Sequence, residues 1–141
     1  MTNPTLIPFK VEHLLALQGT EHEEFWILIQ KEKNPSFTAV VDDQILGCGG
    51  VIISAPGVGV AWACFSELIN QYKVWTTKTV RRILQDIITF RSLHRVESAV
   101  FATNYKNHKW IEMLGFNREN GCARLYTPDK QDAVRYELIR G

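Results

Sequence analysis

The spacing of apolar residues along the chain predicts four helices. The strongest pattern places apolar side chains at i, i+3, i+4, i+7 and i+8, and its members are Val80, Ile83, Leu84, Ile87 and Ile88. Arg91 takes the next position of the stripe, and Thr76 or Thr77 can cap the start of this helix. This is the longest helix that the pattern predicts.

Three shorter helices are predicted around it. One covers residues 11–18, and a second begins at Thr20, which is spaced from Glu23 as in a capping box, and ends before Pro35. The last covers residues 104–114. Gly115 ends that helix because glycine takes the left-handed conformation of a helix C-terminus most easily.

Strands are predicted where β-branched and aromatic residues gather. Their ranges are 6–9, 37–41, 44–54, 58–65, 96–101, 116–119, 122–126 and 134–139. Pro8 confines the first strand to a sheet edge or end, and tight turns make the second, third and fourth antiparallel. The glycines at 47, 49 and 50 indicate a bulge or a close backbone approach. The element order is that of a mixed α/β domain.

Composition and charge narrow the class of protein. The 141 residues predict one domain over residues 1–141, and 16 Lys and Arg against 15 Asp and Glu leave a net charge of +1, which does not favour nucleic acid as a partner. No apolar stretch is long enough to cross a bilayer, and no secretory signal is visible at the N-terminus. Three cysteines beside apolar segments predict reduced thiols. We therefore expect a soluble, cytoplasmic domain.

Candidate chemistry outside any motif is sparse. The four histidines lack the paired spacing of a zinc site, so no metal is expected. Glu67 follows a strand and is either a general base or a solvated loop charge. The stretch from Lys73 to Arg95 carries six basic residues against Asp86, which is either a solvated face or a surface for cofactor phosphates.

The segment from Asn104 to Phe116, with Leu114-Gly115-Phe116 at its end, resembles the C-terminal signature of the GNAT acetyltransferase superfamily. The hairpin from Val41 to Gly47 is similar to that family's early acidic turn. The resemblance implies a GNAT-like mixed, mostly antiparallel sheet with flanking helices. It also implies that the strands ending at Phe65 and Phe101 lie side by side and splay apart.

The same resemblance implies acyl transfer from acetyl-CoA to an amine on a small molecule or a protein. Main-chain amides near Phe65 and Ser66 would polarise the thioester carbonyl. The coenzyme A pyrophosphate would sit at Thr76, Thr77 and Lys78, where the family presents a glycine-rich loop at a helix start, and Asn104 would contact the pantetheine arm. The threonines are alternatively plain helix caps.

Two departures from the family pattern open a second hypothesis. Lys78 and Val80 stand where the loop has glycines, and Ile111 stands where many members have a tyrosine general acid; Tyr105 is the nearest phenol in sequence. The second hypothesis is a non-catalytic GNAT-like binding or structural module with a protein partner. The sequence is similar to a phage-encoded group of GNAT-like proteins that includes an internal virion protein. Membership of that group would make the protein virion-associated.

Overall fold

A computed structural model describes residues 3–19, 27, 34–101, 105–119, 121–126, 128 and 130–140. The helices are α1 (Val11–Gln18), α2 (Lys73–Phe90) and α3 (Tyr105–Met113), with a short 3-10 helix at Glu67–Gln71. The strands are β1 (Thr5–Pro8), β2 (Ser36–Val41), β3 (Gln44–Ala55), β4 (Val58–Phe65), β5 (Arg95–Phe101), β6 (Asn117–Arg118) and β7 (Ala133–Ile139). The helix predicted between Thr20 and Pro35 lies, except for Ile27 and Asn34, outside the described residues.

The strands form one seven-stranded sheet in the order β1-β2-β3-β4-β5-β7-β6. Every neighbouring pair is antiparallel except β4 and β5, which are parallel. Pro8 ends β1 at the sheet edge, where a residue that cannot donate a ladder hydrogen bond is tolerated. The predicted mixed, mostly antiparallel α/β fold is confirmed.

The parallel pair of β4 and β5 is joined only where the two strands begin. Val58, Gly59 and Val60 pair with Arg95, Val96 and Glu97, and the register ends there although β4 continues to Phe65. One step further, the Ser98 hydroxyl donates to the Ala61 carbonyl at 3.3 Å. The prediction that these strands lie side by side and then part is therefore confirmed.

The two faces of the sheet are covered by different helices. The larger core cluster joins α2 and α3 to one face through Leu84, Ile87, Ile88 and Ile111, which contact buried strand residues such as Tyr136. The hydroxyl of Tyr136 lies 2.8 Å from Nδ1 of His108 on α3. A smaller cluster holds α1 against the other face. The apolar stripe predicted for α2 is the stripe that the sheet buries.

An ion-pair network lies on the face of the sheet opposite α2 and α3, at the end formed by β5, β7 and β6. Arg95 on β5 contacts the carboxylates of Glu97, Glu119 and Glu137, the first at 2.7 Å. These carboxylates raise the pKa of the Arg95 guanidinium, with Glu97 the largest cause. Because Glu119 and Glu137 belong to the β6–β7 end of the sheet, the network ties the last strands to β5.

The glycines of β3 allow close approaches, as predicted. A Cβ at Gly47 would collide with the ring of Phe65, and one at Gly49 would lie 2.7 Å from the Trp62 carbonyl oxygen. The register of β3 also shifts beside Leu46, because Ala39 pairs with Gly47 while Val40 pairs with Ile45. The sequence left a bulge and a close approach as alternatives, and β3 has both.

Two predictions are corrected. The helix α2 follows directly on the 3-10 helix and begins at Lys73 with Tyr72 as its N-cap, so neither Thr76 nor Thr77 caps it. Residues 122–126 form an isolated bridge at Ala123 and a turn instead of a strand, because Leu125 takes a φ of 51°. Gly115, at φ 103°, ends α3 as predicted.

Candidate functional site

The free edge of β4 is the centre of the candidate site. The backbone amide of Ser66 donates to the Leu46 carbonyl at 3.0 Å, which fixes the hydrogen-bonding alternation of β4 against β3. In an antiparallel pair, residues one step away point their N–H and C=O groups in the opposite direction. The amides of Ala63 and Phe65 therefore face the gap where β5 has parted from β4.

This alternation separates the two residues predicted to polarise a carbonyl. The Phe65 amide faces the gap, and its role in polarising a carbonyl stays a prediction. The Ser66 amide is not, because it pairs with Leu46, and the Ser66 hydroxyl also donates to the Leu46 carbonyl at 3.2 Å. The prediction for Ser66 as an amide donor is corrected: the β3–β4 ladder extends one pair further than the sequence indicated.

The start of α2 lies earlier than the cofactor prediction assumed. Thr76 is in the first turn but its amide already donates to the Tyr72 carbonyl at 2.9 Å, so it is not one of the free amides of the helix start. Those free amides belong to Lys73, Val74 and Trp75, the first three residues of the helix. The segment aligned with the family's glycine-rich loop is therefore helical in this chain.

The three predicted phosphate-binding side chains are in different environments. Thr77 is occupied, since its hydroxyl donates to the Lys73 carbonyl at 2.8 Å and accepts from Nε1 of Trp110 at 3.0 Å. Thr76 is buried beneath the helix with 4% of its surface exposed. Lys78 is exposed. The helix brings only Lys78 to the surface where a phosphate could approach.

An aromatic contact joins α3 to the end of β4. The rings of Phe65 and Trp110 lie edge to face with centroids 5.3 Å apart. Since Trp110 also donates to Thr77, one side chain connects the end of β4, the first turns of α2 and the middle of α3. The place of Trp110 in the 104–116 segment is the signal in the sequence that points to it.

A cavity of about 140 Å³ lies between α2, α3 and the sheet. The sheet side of it is lined by small residues at alternate positions of two neighbouring strands, and these are Gly47, Gly49, Ala61 and Ala63. Bulky side chains on α2 and α3 form the other walls. The alternation of small residues in β3 and β4 was visible in the sequence and is what leaves this space unfilled.

The lining of the cavity is apolar with few polar atoms. Ser98 on β5 and Thr76 and Thr79 on α2 reach it. The Thr76 hydroxyl is buried and has no hydrogen-bond partner among the described residues. An unpaired buried hydroxyl costs free energy, which makes Thr76 an unusual feature of an otherwise apolar wall.

The remaining predicted residues are placed as follows. Ile111, at the position of the family's tyrosine, is 5% exposed and lines the cavity. Asn104 and the side chain of Tyr105 lie outside the described residues. Glu67 begins the 3-10 helix and is exposed, two residues beyond Phe65. No other titratable side chain takes the position of Ile111 in the described cavity lining.

Positive charge lies on the outer side of α2. Lys78, Arg81 and Arg82 are exposed, and no carboxylate in the described ranges pairs with them.

The same described ranges contain no cluster of three or more metal-binding side chains. Nor do they contain a helix long and apolar enough to span a membrane.

Among the three cysteines, Cys48 lines the cavity, and Cys64 and Cys122 do not. Cys48 and Cys64 are register partners on β3 and β4 and belong to the cluster beneath α1. Burial and, secondarily, the neighbouring Cys64 raise the pKa of Cys48 from 9.0 to about 12, and burial also raises the pKa of Cys64. Raised pKa values keep both thiols protonated, so neither is an activated nucleophile.

Solved structures of similar fold show what this arrangement resembles. A variant of the spermidine N-acetyltransferase SpeG from Vibrio cholerae matches with a TM-score of 0.75 and 17% identity over 96% of this chain and 93% of that chain. The ribosomal-protein-S18-alanine N-acetyltransferase from Escherichia coli matches with a TM-score of 0.77 and 15% identity over 97% and 94%. The chain has the GNAT acetyltransferase fold. No protein-family model and no curated protein matches the sequence.

In this chain, the candidate site is the gap between the two parallel strands β4 and β5. The likeness extends over nearly the whole of this chain and of each solved structure. At these identities the likeness concerns the fold alone. The chemistry has to be argued from the side chains and amides of this chain.

Proposed function

We propose that this GNAT-fold protein is an N-acyltransferase that transfers an acetyl group from acetyl-CoA to an amine. The observation that carries the proposal is the unpaired β4 edge, where the amides of Ala63 and Phe65 face the gap left by β5. A pantetheine arm carries two amide groups and can pair with such an edge as an added strand would.

The residues present fit an acetyl-CoA donor in part. The gap offers free backbone amides, and the nearby cavity offers apolar walls. The free amides of Lys73, Val74 and Trp75 at the start of α2 suit an anion. The fit is poorer than a glycine-rich loop would give, because residues 75–80, which align with that loop, are part of α2.

The chemistry assigned to this chain is modest. The Phe65 amide would donate to the thioester carbonyl oxygen and stabilise the negative charge that develops there during attack by an amine. Ile111 has no proton to give, so the departing thiolate would leave unassisted. Thiol pKa values near ~8.5 make that departure feasible at neutral pH. Glu67 is the carboxylate nearest in sequence to Phe65, and it would accept a proton from the attacking amine.

The acceptor is proposed to be a primary amine. The two similar structures are named as acting on spermidine and on a ribosomal-protein alanine, which are a small-molecule amine and a protein amine. Both classes therefore belong in the first panel of acceptors. An acceptor on a protein would also be the protein partner expected from the sequence.

The test is release of free coenzyme A from acetyl-CoA in the presence of spermidine or of a peptide with an N-terminal alanine. Phe65→Pro removes the amide that faces the gap, and Phe65→Leu keeps that amide while removing the ring. We expect turnover with one of the two amines, a loss of about 100–1,000-fold in Phe65→Pro, and a much smaller loss in Phe65→Leu. Equal losses in the two variants would refute the assignment of the amide.

The second candidate function is a non-catalytic binding or structural module. Two observations favour it: α2 begins at Lys73 and so covers the positions of the loop, and Ile111 is buried where a general acid is expected. A phage origin and association with a virion stay predictions of the sequence resemblance. Absence of turnover together with absence of acetyl-CoA binding would favour this module over the enzyme.

A further inference from the structure

The cavity beneath α2 is larger than an acetyl group needs. Its volume is about 140 Å³, close to the ~150 Å³ of an apolar protein cavity that accommodates benzene. An acetyl group would contribute one methyl group to this space. The walls would then lose most of the dispersion contacts that a close-fitting ligand provides.

The cavity is connected to the end of β4 where the donor carbonyl is proposed to lie. Ala61 and Ala63 of β4 and Ser98 of β5 all line it, so it opens at the point where these strands part. Trp110 lines it as well and contacts Phe65. A chain attached to a carbonyl near the Phe65 amide would therefore enter the cavity directly.

The polar atom inside the cavity is independent support for a ligand. Thr76 is 4% exposed, lines the cavity, and its hydroxyl has no partner in the described part of the chain. Thr77, next to it, is bonded to Trp110 and so lies at the Phe65 end of β4. A carbonyl oxygen at this end of the cavity would satisfy the Thr76 hydroxyl.

We propose that the cavity binds the acyl group of the donor, and that the preferred acyl group is an unbranched aliphatic chain of about six carbons rather than acetyl. The Thr76 hydroxyl donates to the carbonyl oxygen, and the chain lies against Ala61, Val80 and Ile83. This inference rests on the proposed function, because it assigns the acyl chain of the same coenzyme A donor.

Calorimetric titration of the full chain with acetyl-CoA, butyryl-CoA, hexanoyl-CoA and free coenzyme A tests the inference. Each buried methylene is expected to tighten binding about fourfold, so hexanoyl-CoA, with four more methylenes, should bind roughly 250-fold more tightly than acetyl-CoA. Ala61→Leu fills the cavity and should remove this preference. The matched control is Ala99→Leu, the same change at an exposed position of β5, which should keep it.

A second variant covers the case in which Ala61→Leu fails to fold. Thr76→Val keeps the shape of the side chain and should weaken hexanoyl-CoA binding about twofold to tenfold through the lost hydrogen bond. Equal binding of acetyl-CoA and hexanoyl-CoA by the unmodified chain would overturn the acyl-chain inference and leave the proposed function intact. A chain-length preference that persists in a folded Ala61→Leu would place the chain elsewhere, and unchanged hexanoyl-CoA binding in Thr76→Val would overturn the role given to its hydroxyl. Failure of every coenzyme A ester to bind would overturn both.

Discussion

The ring of Trp110 meets the ring of Phe65 edge to face at 5.3 Å, with the ring planes at 88°. Phe65 is the last residue of β4, and Trp110 lies in α3, so the contact crosses the end of the sheet where β4 and β5 have parted. The Trp110 indole also donates to Thr77 of α2. One indole therefore holds two helices at the end of β4 that faces the proposed site.

A double-mutant cycle measures this link. Trp110→Phe keeps the aromatic contact and removes the indole donor, and Thr77→Val removes the acceptor. We expect each variant to lose about 0.5–1.5 kcal/mol of unfolding free energy, and the double variant to lose little more than either one. Urea denaturation of the four proteins provides the measurement. Fully additive losses would show that the hydrogen bond does not form.

The buried Thr76 hydroxyl, one residue before Thr77, predicts a change in unfolding free energy of the opposite sign. In the ligand-free protein this hydroxyl has no partner among the described residues, so Thr76→Val should raise the unfolding free energy by about 1 kcal/mol. Thr77→Val is the matched control and should lower it. Thermal unfolding of both variants without ligand measures the difference. A loss of stability in Thr76→Val would mean that the hydroxyl is already satisfied.

The cysteine pair makes stability depend on pH above neutrality. Burial raises the pKa of Cys48 from 9.0 to about 12, so between these values the unfolded chain releases a proton that the native state keeps. The contribution of Cys48 to the unfolding free energy is therefore fully present below about pH 9. Above that pH it falls by up to ~1.4 kcal/mol per pH unit.

Urea denaturation at about pH 8 and about pH 10.5 would show the decrease, and Cys48→Ala should make it smaller. Cys122→Ala is the matched control, because it makes the same change at an exposed cysteine. Cys64 and Tyr136, whose pKa values burial also raises, account for part of the slope that remains in Cys48→Ala. An identical slope in Cys48→Ala and the unmodified chain would contradict the burial argument.

The vacant general-acid position predicts a gain of activity. Ile111→Tyr places a phenol at the family position, beside the cavity, and should raise turnover up to about 100-fold, the lower end of what general acid catalysis supplies. Tyr105→Phe should change nothing unless Tyr105 provides the proton. Steady-state turnover with the responsive amine measures both variants. A fall in turnover for a folded Ile111→Tyr would show that the departing thiolate does not lie near this side chain.

Most of the fold could be predicted from local pattern. The apolar stripe of α2 is a strong helical signal, and Pro8 and Gly115 have backbone requirements that fix a strand edge and a helix end. The strand predicted over residues 122–126 failed because β-forming side chains do not guarantee a ladder partner. Only Ala123 finds one, opposite Ala133.

The candidate site was less predictable, because it depends on relations between distant residues. Ser66 could not be excluded as an amide donor from sequence, since its pairing with Leu46 depends on the register of β3 and β4. The N-cap of α2 was predicted four or five residues late, at Thr76 or Thr77, because Tyr72 and the first helical residues carry no capping signal. The cavity arises from small residues on two strands and became visible only once the strands were paired.

The proposed function requires that acetyl-CoA bind at the β4–β5 gap, although α2 replaces the glycine-rich loop. Losing two amide-to-phosphate hydrogen bonds at ~1.5–3 kcal/mol each lowers affinity by two or more decades. Isothermal titration calorimetry with acetyl-CoA is the decisive measurement. We expect a single site with a Kd between about 10 µM and about 1 mM. Absence of binding at ~1 mM would contradict the acyltransferase assignment, and micromolar or tighter binding would contradict the argument about the loop.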